Sequence, residues 1–128
     1  MLNKYMMIIL AAFFVCSIST GYAQKAAEVY IPIGQSPGIS GKSSSVVGTI
    51  ESVDKQNMTI TVKSGSETYT GKIAEKTVVY LDRNKSQKKN TTGNLEDCRA
   101  GIRCEMKYSY EDHQQTDKVD WIKIEWDE

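Results

Sequence analysis

Histidine is almost missing from this chain: His113 is the only one in 128 residues. A zinc centre wants four nitrogen or sulfur ligands, commonly with paired C-x2-4-C spacing. General acid–base chemistry needs a tuned carboxylate or histidine in a pocket. His113 lies in the hydrophilic stretch Glu111-Asp112-His113-Gln114-Gln115, which reads as a solvated hairpin. No metal, no cofactor and no catalytic residue is therefore expected, and the chain does not read as an enzyme. Proline is also scarce. Both prolines fall in residues 24–45, so the rest of the chain is free of that break. The unbroken apolar run at residues 6–15 is well short of the roughly 18–20 residues of a membrane-spanning helix. Neither sign of charge is in excess, with 16 basic and 16 acidic residues, so no global field draws the protein to nucleic acid. A phosphate-binding loop is excluded as well. Gly41-Lys42-Ser43 would end one, but Ser36 stands where its first glycine is required, and a strand pattern follows where a helix should open.

The apolar run instead belongs to a leader. Lys4 supplies a positive start, residues 6–15 the hydrophobic centre, and Gly21-Tyr22-Ala23 small residues three and one before a cut. This predicts a signal peptide over residues 1–23, export to the periplasm or beyond, and no membrane span after cleavage. A buried core helix is one alternative for the run. Acylation of Cys16, as in a lipoprotein, is another, against which Val15 stands where a small residue is usual. Three cysteines is an odd number, and cleavage removes Cys16. Cys98 and Cys104 remain, and in an oxidising compartment such a pair is expected to join as a structural disulfide. Free buried thiols are the alternative. C-x5-C is not the C-x-x-C of thiol oxidoreductases.

Residues 24–45 read as an extended arm and linker, with both prolines, three glycines and a serine cluster. Its apolar stretch Tyr30-Ile31-Pro32-Ile33 either packs on the domain or is offered to a partner. From residue 46 the period is two. Strands are predicted at 46–54, 58–63, 67–74 and 77–81, the last two either one long, bent strand or two short ones, with Met58, Ile60 and Val62 facing inward on the second. A polar loop at 82–93 carries Arg83, Lys85, Lys88 and Lys89. Asn94 caps a short helical turn at 95–100, closed by Gly101. Residues 102–110 alternate cleanly: Ile102, Cys104, Met106, Tyr108 and Tyr110 share one face, and Arg103, Glu105, Lys107 and Ser109 the other. In the last strand, 118–126, Val119 and Trp121 fall out of phase with Ile122, Ile124 and Trp126. A bulge near Asp120 or burial on both sides would explain that. Cys98 and Cys104 both point toward one core, so the pair reads as a staple between helical turn and strand.

Three strands, a short helix and two strands is the order of a five-stranded Greek-key barrel, the OB-fold. The prediction is an all-β domain at 46–128 with one short helix, a five- to six-stranded OB-like barrel preceded by the arm. The segments VVGTIESVDKQNMTITVKSG, TVVYLDR, LEDCRAGIRCEMKY and DWIKIEW resemble small exported bacterial OB-like domains of unknown function, over residues 46–125. The cysteines at 98 and 104 depart from the simplest form of that pattern. The resemblance implies a fold and no catalytic residues.

Charge is uneven along the chain. Residues 72–103 carry eight basic and four acidic side chains, and residues 105–128 eight acidic and three basic. The expected function is thus a non-enzymatic binding or scaffold module of the envelope, with an envelope protein as partner. Its candidate contacts are Tyr30, Ile31, Pro32, Ile33, Arg83, Lys85, Lys88 and Lys89. The alternative is an oligosaccharide or single-stranded nucleic acid on the OB face, with nucleic acid disfavoured by export. Readers of that kind stack bases on exposed aromatics. Here the outward residues of the middle strands are Thr59, Thr61, Lys63, Thr68, Thr70 and Lys72, and Trp121 is the best exposed aromatic candidate.

Overall fold

The computed structural model of the chain describes residues 28–35 and 45–127. Residues 1–23, expected as a leader, Cys16 among them, and the Gly41-Lys42-Ser43 segment lie outside them. Seven strands form one sheet: β1 (Ser45–Asp54), β2 (Thr59–Ser64), β3 (Glu67–Lys72), β4 (Val78–Asp82), β5 (Thr91–Gly93), β6 (Arg103–Glu111) and β7 (Gln114–Glu125). The strand order is β3-β2-β1-β6-β7-β4-β5, and β3 also meets β7. Strands β1, β2, β3, β7 and β6 therefore close a ring. All its pairings are antiparallel except β3 with β7, where Lys72 lies opposite Lys118. This is the OB order, and the all-β, OB-like barrel holds. The fold adds the β4–β5 hairpin, whose β4 runs parallel to β7 from Val78 opposite Trp121 to Asp82 opposite Glu125. The strand count is thus seven, above the five or six expected. The short helix is a single 3₁₀ turn, Leu95–Asp97, where the Asn94 amide donates to the Asp97 carboxylate at 2.8 Å. The polar loop at 82–93 is less irregular than its composition suggests, since Thr91–Gly93 folds back on β4.

Local chemistry accounts for the turns. The Asp54 carboxylate accepts from the amides of Gln56 and Asn57 and from the Asn57 side chain, which folds the β1–β2 turn and holds its own pKa below the usual carboxylate value. Met58 belongs to this turn, with φ of +52°, and is 42% exposed, so it does not face inward as the alternation implied. Asp112 and His113 both adopt left-handed backbone and make a two-residue hairpin. The strands run up to this tip on either side, β6 to Glu111 and β7 from Gln114. Gly48 is needed for a close crossing, because a Cβ there would stand 2.2 Å from the Lys63 carbonyl oxygen.

The barrel interior is filled by Ile50, Ile60, Val62, Val79, Leu81, Cys98, Cys104, Met106, Tyr108, Val119, Ile122 and Ile124, all buried in one cluster. Tyr110, at the far end of β6, escapes it and is 45% exposed. The irregular phase of β7 has both of its anticipated causes. Lys107 lies opposite Trp121 and Tyr108 opposite Val119, so Asp120 is an extra residue, a bulge that turns Val119 inward. Trp121 and Lys123 then point to the outer face, and that face is buried as well.

Candidate functional site

What buries it is the N-terminal arm. Residues 28–35 lie as a strap across the outer face of β6, β7 and β4, beginning with a 3₁₀ turn at Glu28–Tyr30. Lys123 is fully buried, and its ammonium sits 2.8 Å from the Glu28 carboxylate and 2.7 Å from the Ile31 carbonyl oxygen. Asn90, also buried, donates its side-chain amide to the Glu28 and Ile31 carbonyls and its backbone amide to the Val29 carbonyl; its own oxygen accepts from Asn84. Farther along, the Ile33 amide donates to Asp82 at 3.0 Å and the Gly34 amide to Glu105 at 2.9 Å. The other oxygen of Glu105 accepts from the Ser45 hydroxyl. Burial of a charge is tolerated when it is paired and hydrogen-bonded. That condition is met here, and no buried side-chain nitrogen or oxygen among the described residues lacks a partner.

Trp121 is part of this layer. It is 2% exposed, packs edge-on against Tyr80 at 6.3 Å, and carries the Lys123 ammonium 4.9 Å from its ring centre. It is not the exposed aromatic that the alternation offered. Glu105, expected on the outward face, is buried with the Gly34 amide of the strap on its carboxylate, and Lys107 on the same face is buried too. Burial, with Glu28 and Asp120 nearby, pushes the Tyr80 phenol up, so it remains neutral. Burial alone would also raise Asp82. The amide of Ile33 and both donors of Asn84 outweigh that, Lys123 adds to them, and the carboxyl ends below its ordinary value.

The candidate contact residues separate into two groups. Within the strap Ile33 is buried, and Ile31 and Pro32 are half-buried. Tyr30 is 68% exposed, and the structure brings it beside the basic loop, with the Lys89 ammonium 5.8 Å from its ring centre. The Arg83 guanidinium donates to the Lys89 carbonyl, and Lys88 is exposed. Lys85 turns away to pair with Glu125, which holds its ammonium above the usual value. Beside that pair a shallow cleft of about 280 Å³ is lined by Pro32, Ile33, Asn84 and Arg103, among others. A second, of about 410 Å³, lies between residues 74–76 and the β6–β7 hairpin, where Tyr110 stands.

The outward face of β2 and β3 carries threonines and lysines, with Thr61 and Thr70 hydrogen-bonded across the strands at 2.9 Å. Cys98 and Cys104 are free thiols in this structure, and burial pushes both up to about 12. Neither is a nucleophile near neutral pH. His113 is exposed on its hairpin tip. Among the described residues no group of three or more His, Cys, Asp or Glu side chains is placed to hold a metal ion.

The strap's partners on the barrel were missed by sequence reasoning. Lys123 between Ile122 and Ile124, and Glu105 between Cys104 and Met106, read as ordinary outward positions of half-buried strands. A signal was available in hindsight: an acidic residue in the arm, Glu28, and a lysine set in the apolar run Trp121-Ile122-Lys123-Ile124. No known protein family matches the chain, and no curated protein or solved structure matches it.

Proposed function

We propose that this protein is an exported, non-catalytic binding module of the bacterial envelope, of OB-like type, periplasmic or secreted, that engages another envelope protein. The contact we assign is the ridge where Tyr30 meets the loop carrying Arg83, Lys88 and Lys89. The observation that carries this reading is the placement of Tyr30: a largely exposed ring, fixed to the barrel through the strap and flanked by cations. Rigid aromatics beside cationic side chains are the residues that dominate protein interfaces. The charge of the loop selects an acidic partner surface and speeds encounter with it. A glycan reader would need an aromatic platform on β2 and β3, and the outward side chains there are threonines and lysines. Cys98 and Cys104 join, in this reading, as a structural disulfide once the protein is exported.

Affinity capture from envelope extract with the mature chain as bait tests the proposal. One protein partner is expected, with capture reduced about tenfold by Tyr30→Ala plus Lys89→Ala, the loss of roughly one hot-spot contact, and no change in thermal midpoint. A partner retained equally by the double variant, or dependent on β2 and β3 residues, would sink it. Intact mass of exported material should be lower by two hydrogens than that of the reduced chain.

A further inference from the structure

The contacts that hold the strap have an unusual distribution. Asn90 reads the carbonyls of Glu28, Val29 and Ile31; Lys123 reads the Ile31 carbonyl again; Asp82 and Glu105 read the amides of Ile33 and Gly34. Beside these main-chain contacts, the Glu28 carboxylate meets the Lys123 ammonium side chain to side chain. The donors and acceptors that β4, β6, β7 and the 83–90 loop aim outward are therefore spaced for a peptide main chain. Buried side-chain recognition falls at two places, a carboxylate against Lys123 and an aliphatic side chain where Ile33 is buried five residues later, with the exposed Tyr30 ring beside Lys89 at the rim. Groups that satisfy an irregular main chain at both its carbonyls and its amides are what peptide-binding surfaces provide.

We infer that this outer face is a peptide-binding groove, filled in cis by residues 28–35, and that it accepts in trans a segment of the same chemistry from the partner protein. That segment carries an acidic residue followed five positions later by a buried aliphatic one. The inference rests on reading the protein as a partner-binding module and names what the partner presents; the Tyr30 ridge then serves the first encounter and is given up when the partner's segment displaces the strap. The strap is its own evidence for fit, since a segment of this composition is seated there. Exchange requires the strap to leave first, so a free segment binds the intact protein weakly, in proportion to the fraction of molecules with an open groove.

The test uses the full mature chain with its strap unseated by Glu28→Lys, which sets one ammonium against another, and a second variant, Ile33→Asp. The probe is a synthetic peptide of residues 24–35, QKAAEVYIPIGQ. Tryptophan fluorescence, with Trp121 lying beneath the strap, and amide exchange in β4 and β7 report occupancy. Saturable binding is expected to both variants, at least about tenfold tighter than to the unaltered chain, and lost when the peptide carries lysine in place of its glutamate. No saturable binding, or equal binding of a scrambled peptide, overturns the inference. Unfolding of both variants does so too, because a strap on which folding depends is not an exchangeable ligand. Peptide binding without any captured envelope protein would leave the groove standing and remove the partner reading. Capture that depends on Tyr30 and Lys89 with no peptide binding would do the reverse.

Discussion

Ile122 and Ile124 point into the barrel, while Trp121 and Lys123, alternating with them on β7, point out beneath the strap. Neighbouring residues of one strand are thus buried by different physics. The inner face is apolar and its stabilisation is non-directional, scaling with area removed from water at about 25 cal/mol per Å². The outer face is built from Glu28, Lys123, Asn90, Asp82 and Glu105, whose burial is tolerable only while each keeps its partner. An interior of the first kind degrades gradually as atoms are removed. A layer of the second kind is sensitive to the loss of a single group, and in return specifies which segment lies on it.

Breaking the ion pair gives the sharpest contrast. Glu28→Ala leaves the Lys123 ammonium buried without its carboxylate, though still hydrogen-bonded to the Ile31 carbonyl, and should cost about 3–5 kcal/mol in urea unfolding. Glu28→Leu combined with Lys123→Met should recover most of that or exceed the parent, because a well-packed apolar pair removes the desolvation cost. On the inner face Ile122→Ala should cost about 2–5 kcal/mol, with no second substitution able to restore it by charge alone. If the double replacement at 28 and 123 is no better than Glu28→Ala, the outer layer is not held as described.

A pH series separates the faces further. The folded carboxyl of Asp82 lies below its unfolded value, so its contribution is fully present above about pH 4, the ordinary carboxylate range, and is lost as pH falls through the depressed native value. Acid should loosen the strap before the barrel. Amide exchange at Ile33 should rise in that window while Ile60 and Val62 remain protected, and Asp82→Asn should flatten the response. The smallest effect is expected outside both layers. Lys72 and Asp117 form an exposed pair at 3.1 Å where β3 meets β7, and Asp117→Asn should change stability by less than about 1 kcal/mol and in a salt-dependent way.

The barrel was legible because its signals are local. Alternation in Ile60 and Val62, the cap at Asn94 and the left-handed Gly101 each act within a few residues of themselves. The β7 irregularity was legible too, since an out-of-phase Val119 demands an extra residue nearby, which Asp120 supplies. Met58 was misplaced because a positive φ at the end of a turn overrides a period of two. Strand β5 escaped notice because Thr91–Gly93 is too short to carry a period, and its pairing with Val79, Tyr80 and Leu81 is a tertiary fact.

The candidate site was only half visible. Tyr30 and Lys89 could be named singly, but their approach depends on where the strap crosses the sheet. The period of two, the turn residues and the order of elements were enough to specify an all-β barrel of OB type, since each is written in neighbouring side chains. The second buried layer could not be read that way. A lysine in a strand has the same pattern whether water or a carboxylate 95 positions away covers it, and only the folded chain brings Glu28 to Lys123.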